Sequence, residues 1–573
     1  MRPIRFALPF VIATGLSACT TTSPEPLLVP PANEVAPAAT STVPYEPQFD
    51  AARLEAHVKT LSDDSFEGRG PATEGETKTV AYLTEQLRAV GAEPAGDVVN
   101  GRRQFTQKVP LLKSDIDGDP IITLHRGSAS ARLAQGSQIA IRAPMNGQKQ
   151  VRLNKVPMIF AGYGVSAPER DWDDFKDIDV RGKIIVVLVN DPDFEGGEGA
   201  FGGEAMTYYG RWTYKYEEAA RRGAAGVIIV HETEPASYGW ATVQNSNTNT
   251  MFDIVRDNPA ATHAPVNGWI QLDQARAMIS RAGLNFDTLK AAAKRKDFKP
   301  VDLKTRMSVT LNAKTEVITS YNVAAMVRGT ARPDETVIYT AHHDHLGIGA
   351  PNAEGDRIFN GAMDNSTGTA HVLEQARAFA SGPQPQRSVV FLFVAAEEKG
   401  LLGSEYYAAN PLFPLAKTAG VLNTDSMGVF GPAQNFTISG QAKLGLLEML
   451  IEEAAKRGRS YTPDANVAAG YFFRSDHFPF AQVGVPAISF GSGNDLLNGG
   501  VDRGLQISAE YRANRYHQQN DEYHPGWDFS GIIEDAKLLN ALGRRLANGS
   551  DWPNWSQDSE FRAERDKTAS QRR

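Results

Sequence analysis

The chain has 573 residues, of which 41% are hydrophobic and 22% charged. These are the proportions of a folded protein with room for about two or three domains. A formal charge of -8 excludes the basic footprint of a nucleic-acid binder, and no nucleic-acid partner is expected. Cys19 is the only cysteine, so internal disulfides and thiolate chemistry are excluded as well.

At the start, Arg2 and Arg5 precede an apolar stretch, residues 6–16, that is too short to span a bilayer as a helix and reads as a signal peptide, residues 1–18. It ends in Leu16-Ser17-Ala18-Cys19, which resembles the lipobox of bacterial lipoproteins. The resemblance implies acylation of Cys19 and a lipid anchor in the bacterial cell envelope. Thr20 after the cysteine favours the outer membrane, at its periplasmic face or the cell surface. Residues 19–49 contain seven prolines among Ala, Ser and Thr, and are expected to form an extended tether.

Folded sequence begins near Ala51. Thr73-x-x-Glu76 is a capping-box pattern, and Val80, Leu83, Leu87 and Val90 follow at helical spacing until Gly91. The turn before it, residues 61–70, is rich in Gly, Asp and Ser and carries no chemical signal on its own. Over residues 119–304, short β-rich runs (156–160, 184–189 and 227–230) alternate with long Gly-rich and aromatic loops. One amphipathic helix is expected over 212–222. His231 and His263 are isolated there and read as structural, so the region reads as a separate α+β module without chemistry of its own. From 305, strands (323–328, 337–341, 389–394, 420–422 and 485–490) alternate with helices (366–380, 444–456 and 532–546). The expected fold is α/β, a mostly parallel mixed sheet with helices on both faces and a site at the strand ends. Domains are expected at 50–118 plus 305–550 and at 119–304, with a polar, loosely ordered tail at 551–573.

Candidate ligands sit where those strands end. The run 337–340 stops at His342-His343-Asp344-His345; Gly361-Ala362-Met363-Asp364 precedes a helix; 389–394 leads to Glu397-Glu398; then come Asp425 and Tyr516-His517. Carboxylates at buried strand ends cost several kcal/mol each unless they are paired or metal-bound, and imidazole is the commonest partner for zinc-like ions. The donors are all His, Asp and Glu, which suits zinc and also manganese or cobalt.

The ordered set HxD, GAMDNSTG, AAEEKGLLGS, NTD and RYH resembles the zinc aminopeptidase family of secreted bacterial leucine aminopeptidases, glutamate carboxypeptidase and the transferrin receptor. The resemblance covers roughly residues 51–113 and 319–546. It implies two zinc ions per chain, one held by His342 and Asp425, the other by Glu398 and His517, with Asp364 bridging both. It further implies that Asp344 orients His342, that Glu397 is the general base, and that Tyr516 donates to the developing oxyanion. His343 and His345 share the two-residue spacing of His342 and Asp344, so the register of the first ligand stays open. Residues 161–165 and 181–184 resemble the protease-associated domain inserted in some members. The implied function is removal of N-terminal residues from peptides by an envelope-anchored aminopeptidase. Rival readings are a carboxypeptidase or dipeptidase on the same scaffold, a single-zinc glutaminyl cyclase, and a non-catalytic binding protein. Arg474-Ser475-Asp476-His477 is expected either to line the substrate cleft or to form a structural loop. His371 is expected at the surface, and Asp521, Glu522 and His524 beside the ligands or at the surface.

Overall fold

The computed structural model describes residues 45–176 and 178–572; the signal peptide, Cys19 and the tether as far as residue 44 lie outside them. No helix among the described residues is long and apolar enough to cross a membrane.

The strand Arg332–His342 lies between Arg387–Val394 and Thr418–Thr424, parallel to both, and Thr418–Thr424 pairs in parallel with Ala487–Ser492. Every residue of Arg387–Val394 and of Thr418–Thr424 is buried. Both faces are covered, and alternation along the strands sorts the apolar side chains between them. Val389, Phe391 and Phe393 join one cluster, with Val372, Leu539 and Leu542 from the flanking helices; Val390, Leu392 and Val394 join another, with Tyr407 and Phe480. Parallel neighbours end at the same edge, so His342 lies level with Val394, and the chain segments carrying Glu397, Glu398 and Asp425 leave the sheet beside it.

The helices expected after Asp364 and near the C-terminus run Gly368–Ala380 and Ser530–Asn548. The helix Glu74–Ala89 starts at Thr73, whose hydroxyl accepts the Glu76 N–H at 3.4 Å. Glu76 does not close a reciprocal box. Its carboxylate accepts the Ala72 N–H at 2.6 Å and the Tyr321 N–H at 3.1 Å, tying the helix to the sheet.

A single strand, Val301–Val327, runs through both halves of the fold. At its C-terminal end it pairs antiparallel with Arg387–Val394, and further back with Gln150–Phe160. Along much of its length it also pairs with Thr106–Arg126. Beyond Gln150–Phe160 the sheet continues through the parallel strands Ile184–Leu188, Gly226–His231 and Val266–Gln271. This half has its own clusters, one around Ile184, Val186 and Leu188 and the other around Ile185, Val187 and Val189.

The tail is a correction. Trp555 is 2% exposed and donates its Nε1–H to Gly484 O at 3.0 Å, Phe561 is buried against Phe472, and Arg565 donates to Thr418 O at 2.9 Å. Three large buried side chains spread among polar neighbours leave no periodic signal, so composition alone reads as a loose end.

Candidate metal centre

Asp364 follows Gly361, whose φ of 56° turns the chain into the helix Gly368–Ala380. Its two carboxylate oxygens face different imidazoles: Oδ1 lies 3.2 Å from His342 Nε2, and Oδ2 lies 3.2 Å from His517 Nε2. On the His342 side, Nε2 is also 3.3 Å from Asp425 Oδ1; on the other, His517 Nε2 is 3.2 Å from Glu398 Oε2. His342, Asp364 and Asp425 offer ligand atoms within 4.8 Å of one another, and so do His345, Asp364 and Glu398. The neighbouring histidines take different positions. His343 turns away and hydrogen-bonds Tyr321 O at 2.9 Å, while His345 Nδ1 lies 2.7 Å from Glu398 Oε1 at an angle that makes no hydrogen bond.

The charges are strongly perturbed. Burial opposes the ionised form of Asp364, but hydrogen bonds to His342 and His517 outweigh it and hold this carboxyl well below the usual range. Burial likewise opposes protonation of His517, yet Asp364 and Glu398 raise its pKa to about 9. The adjacent glutamates diverge. Burial, with Glu398, Asp476 and Asp425 nearby, pushes Glu397 up, whereas Glu398 is held down against burial by His345 and His517. One therefore takes a proton readily and the other stays ionised.

Asp344 sits differently from the orienting role expected of it. Its carboxylate accepts the backbone N–H groups of Glu397 at 3.0 Å and Glu398 at 3.4 Å, so it fixes the glutamate turn; His342 Nδ1 is 3.9 Å from that carboxylate and 3.2 Å from the Asp344 carbonyl. Ser475 donates to Asp425 Oδ2 at 2.8 Å, and Asp476 accepts from Ser404 at 2.6 Å. Tyr516 is 44% exposed in the cavity, with its ring stacked 3.9 Å from that of His517. His371 is a correction: it is fully buried, between Thr424 Oγ1 at 3.3 Å and Gln375 at 2.9 Å.

Two supporting residues act through backbone groups, Asp521, expected beside the ligands or at the surface, and Arg69, which carried no sequence signal. Asp521 is buried and accepts the N–H groups of Met363 and Asp364, each at 3.0 Å, which fixes the backbone at Asp364. Arg69, 1% exposed, donates to the carbonyls of His343 (3.0 Å), Leu61 (2.6 Å), Asn360 (2.5 Å) and Gly361 (2.9 Å), stitching together the loops that carry His342 and Asp364. Burial lowers its pKa to about 10, while Asp344 and Asp364 pull the other way. The Gly-rich character of residues 61–70 hinted at a special turn but not at its arginine.

The donor chemistry fits zinc. Imidazole nitrogens and carboxylate oxygens converge in both groups, and Glu398 Oε1 and both His345 nitrogens are buried without a hydrogen-bond partner. Fold and site together place this donor set at the C-terminal edge of a parallel sheet. Residues 322–538 match the model of Peptidase family M28. Among curated relatives, a probable zinc metalloprotease of Leptosphaeria maculans is 29% identical over 34% of this chain and 53% of its own length. Leupeptin-inactivating enzyme 1 of Streptomyces exfoliatus is 32% identical over 31% of this chain and 37% of its own. The alignments thus span about half or less of these relatives. Among solved structures, an aminopeptidase from Aneurinibacillus sp. strain AM-1 is 18% identical with a TM-score of 0.46, over 88% of this chain and 95% of that one.

Proposed function

We propose that this chain is a di-zinc exopeptidase that removes N-terminal residues from peptides. The observation that carries the reading is Asp364, which offers one oxygen to each of two imidazole–carboxylate groups. His342 and Asp425 would hold one ion, Glu398 and His517 the other, and Asp364 both. Bound there, zinc would acidify a water and polarise the scissile carbonyl.

The chain's own residues do the rest. Glu397, its carboxyl raised by burial and by neighbouring carboxylates, takes the proton of the attacking water and passes it to the leaving amine. Asp344 holds the Glu397 backbone through its N–H at 3.0 Å, so the base stays aimed at the cleft while Glu398 stays a ligand. Tyr516, exposed in the cavity, donates its hydroxyl to the oxyanion. Met363 donates its N–H to Asp521, so the turn before the bridge is held through backbone.

Every ligand position and the base are filled, which favours an enzyme over a binding protein. The relative named as a probable zinc metalloprotease supports the same reading. Acylation at Cys19 would tether the enzyme to the cell envelope. The test is release of free amino acid from N-terminally free, N-blocked and C-terminally blocked peptides by zinc-supplied protein, with and without chelator. Chelator-sensitive release confined to free-amine peptides is expected; cleavage that needs a free C-terminus and ignores N-blocking would reassign the enzyme as a carboxypeptidase.

A further inference from the structure

The metal ligands share a cavity of about 800 Å³ with residues from the other half of the fold, which the sequence reading left without chemistry. That wall is rich in arginine. Arg221 and Arg256 are neutralised in place: Arg221 pairs with Glu217 at 3.5 Å and Glu218 at 2.8 Å, and Arg256 with Asp253 at 2.9 Å and Glu405 at 2.5 Å. The cavity's acids away from the metal centre are held in these pairs, Asp253 also by His263 at 2.6 Å, and Asp253 is close enough to act on the charge of Arg142 without pairing with it.

Arg142, Arg211 and Arg474 line the same cavity, and none has a carboxylate partner among the described residues. Arg142 stacks over Trp212 at 5.0 Å and Tyr216 at 5.6 Å, which fixes its plane, and its Nε–H meets only Met251 Sδ at 3.1 Å. Arg474 stacks over Tyr471 at 5.2 Å and donates to Ala469 O at 2.6 Å. The Nε groups of Arg211 and Arg474 are buried without any hydrogen-bond partner. Burial, and then the charge of Arg474, lower the Arg211 pKa only to about 10, so it stays charged at neutral pH beside a like charge. Arg211 also precedes the helix Trp212–Arg221, whose N-terminus no side chain caps. Buried donors without partners and mutually repelling cations are stabilised together by one anion.

We propose that Arg142, Arg211 and Arg474 form a carboxylate-binding subsite in the cleft, so that the enzyme prefers peptides bearing an anionic group. The carboxylate is either the free C-terminus of a short peptide or an acidic side chain. This rests on the peptidase reading and adds its substrate class.

The experiment compares kcat/KM for a neutral tripeptide with free termini, the same tripeptide as its C-terminal amide, and an amidated tripeptide with one Asp or Glu after the first residue. Charge-assisted hydrogen bonds from these guanidinium groups predict at least about a tenfold preference for a carboxylate-bearing peptide over the neutral amide. Preference for the free acid assigns the terminal carboxylate, and preference for the acidic amide assigns the side chain. In Arg211→Gln and Arg474→Gln that ratio should fall towards one, through KM of the anionic peptide; a merely structural role would slow all three substrates alike and leave the ratio intact. Equal rates on all three peptides in the wild type would overturn the subsite and leave the peptidase intact. If no peptide is cleaved, calorimetric binding of the all-D forms of the same three peptides still reads the subsite. Tighter binding of either carboxylate-bearing peptide than of the neutral amide, lost in the variants, supports it, and equal or absent binding of all three overturns it.

Discussion

Removing the Glu397 carboxyl while keeping its shape separates metal binding from proton transfer. Glu397→Gln should retain the wild-type metal content and lose at least about 10²-fold in kcat, the low end for a positioned acid–base group; near-normal turnover with full metal would assign the proton to another residue. Arg69 acts beneath the site. Arg69→Met leaves four carbonyl partners without their donor and several carboxylates without a nearby cation, so unfolding free energy should fall by at least about 3 kcal/mol. A denaturant midpoint equal to wild type would contradict that role. The difference between these residues shows what sequence can reveal. Glu397, Asp364 and Asp425 follow strand-like runs or precede a helix, where a buried carboxylate demands a partner. Arg69 and Asp521 act on backbone groups of distant segments, and nothing in their neighbours' identities encodes which carbonyl or N–H they will meet. The protonation of His517 is also a product of folding. Its pKa of about 9 lies above the ordinary 6.5, so in chelated protein its ion pairing contributes fully below about pH 6.5 and is lost as pH rises through about 9. Zinc must displace that proton. Zinc titrated into chelated protein at pH 7 should therefore release protons, read by calorimetry in buffers of different ionisation enthalpy; a heat independent of buffer would contradict it.

Strands buried on both faces were the most legible elements, because continuous apolar runs such as 389–394 admit few other readings. What the runs could not convey was length. The segment expected as a strand over 323–328 is the end of Val301–Val327, whose earlier part alternates buried and exposed residues, a weaker pattern broken by polar positions. The helix Gly500–Asn514, which leads into Tyr516 and His517, buries only Gly504 and Tyr511, so it has no apolar stripe to find. Residues 551–572 close the core instead of fraying. Trp555→Ala should cost about 3–5 kcal/mol, as for other buried aromatics, measured by denaturant unfolding; a change within about 0.5 kcal/mol, typical of exposed sites, would return the tail to the surface.

Across the whole molecule, the site at the sheet edge is roofed by a second half that shares the Val301–Val327 strand, so cleft width and sheet geometry are linked through one continuous ladder. The proposed anchor sets where that cleft works. Cys19→Ser should move the protein out of the membrane fraction or block its maturation, and unchanged processing and membrane association would remove the lipid from the account. The central claim is the bridge between two metal ions. Asp364→Asn keeps the side-chain shape and removes the charge shared by both. Elemental analysis of zinc-supplied protein, run beside release of free amino acid from an N-terminally free peptide, tests it most directly. The account predicts two zinc ions per chain with chelator-sensitive release in the wild type, and joint loss of both ions and of activity in Asp364→Asn. A wild type that binds no zinc and releases nothing, or a variant that keeps two ions and full activity, would contradict it.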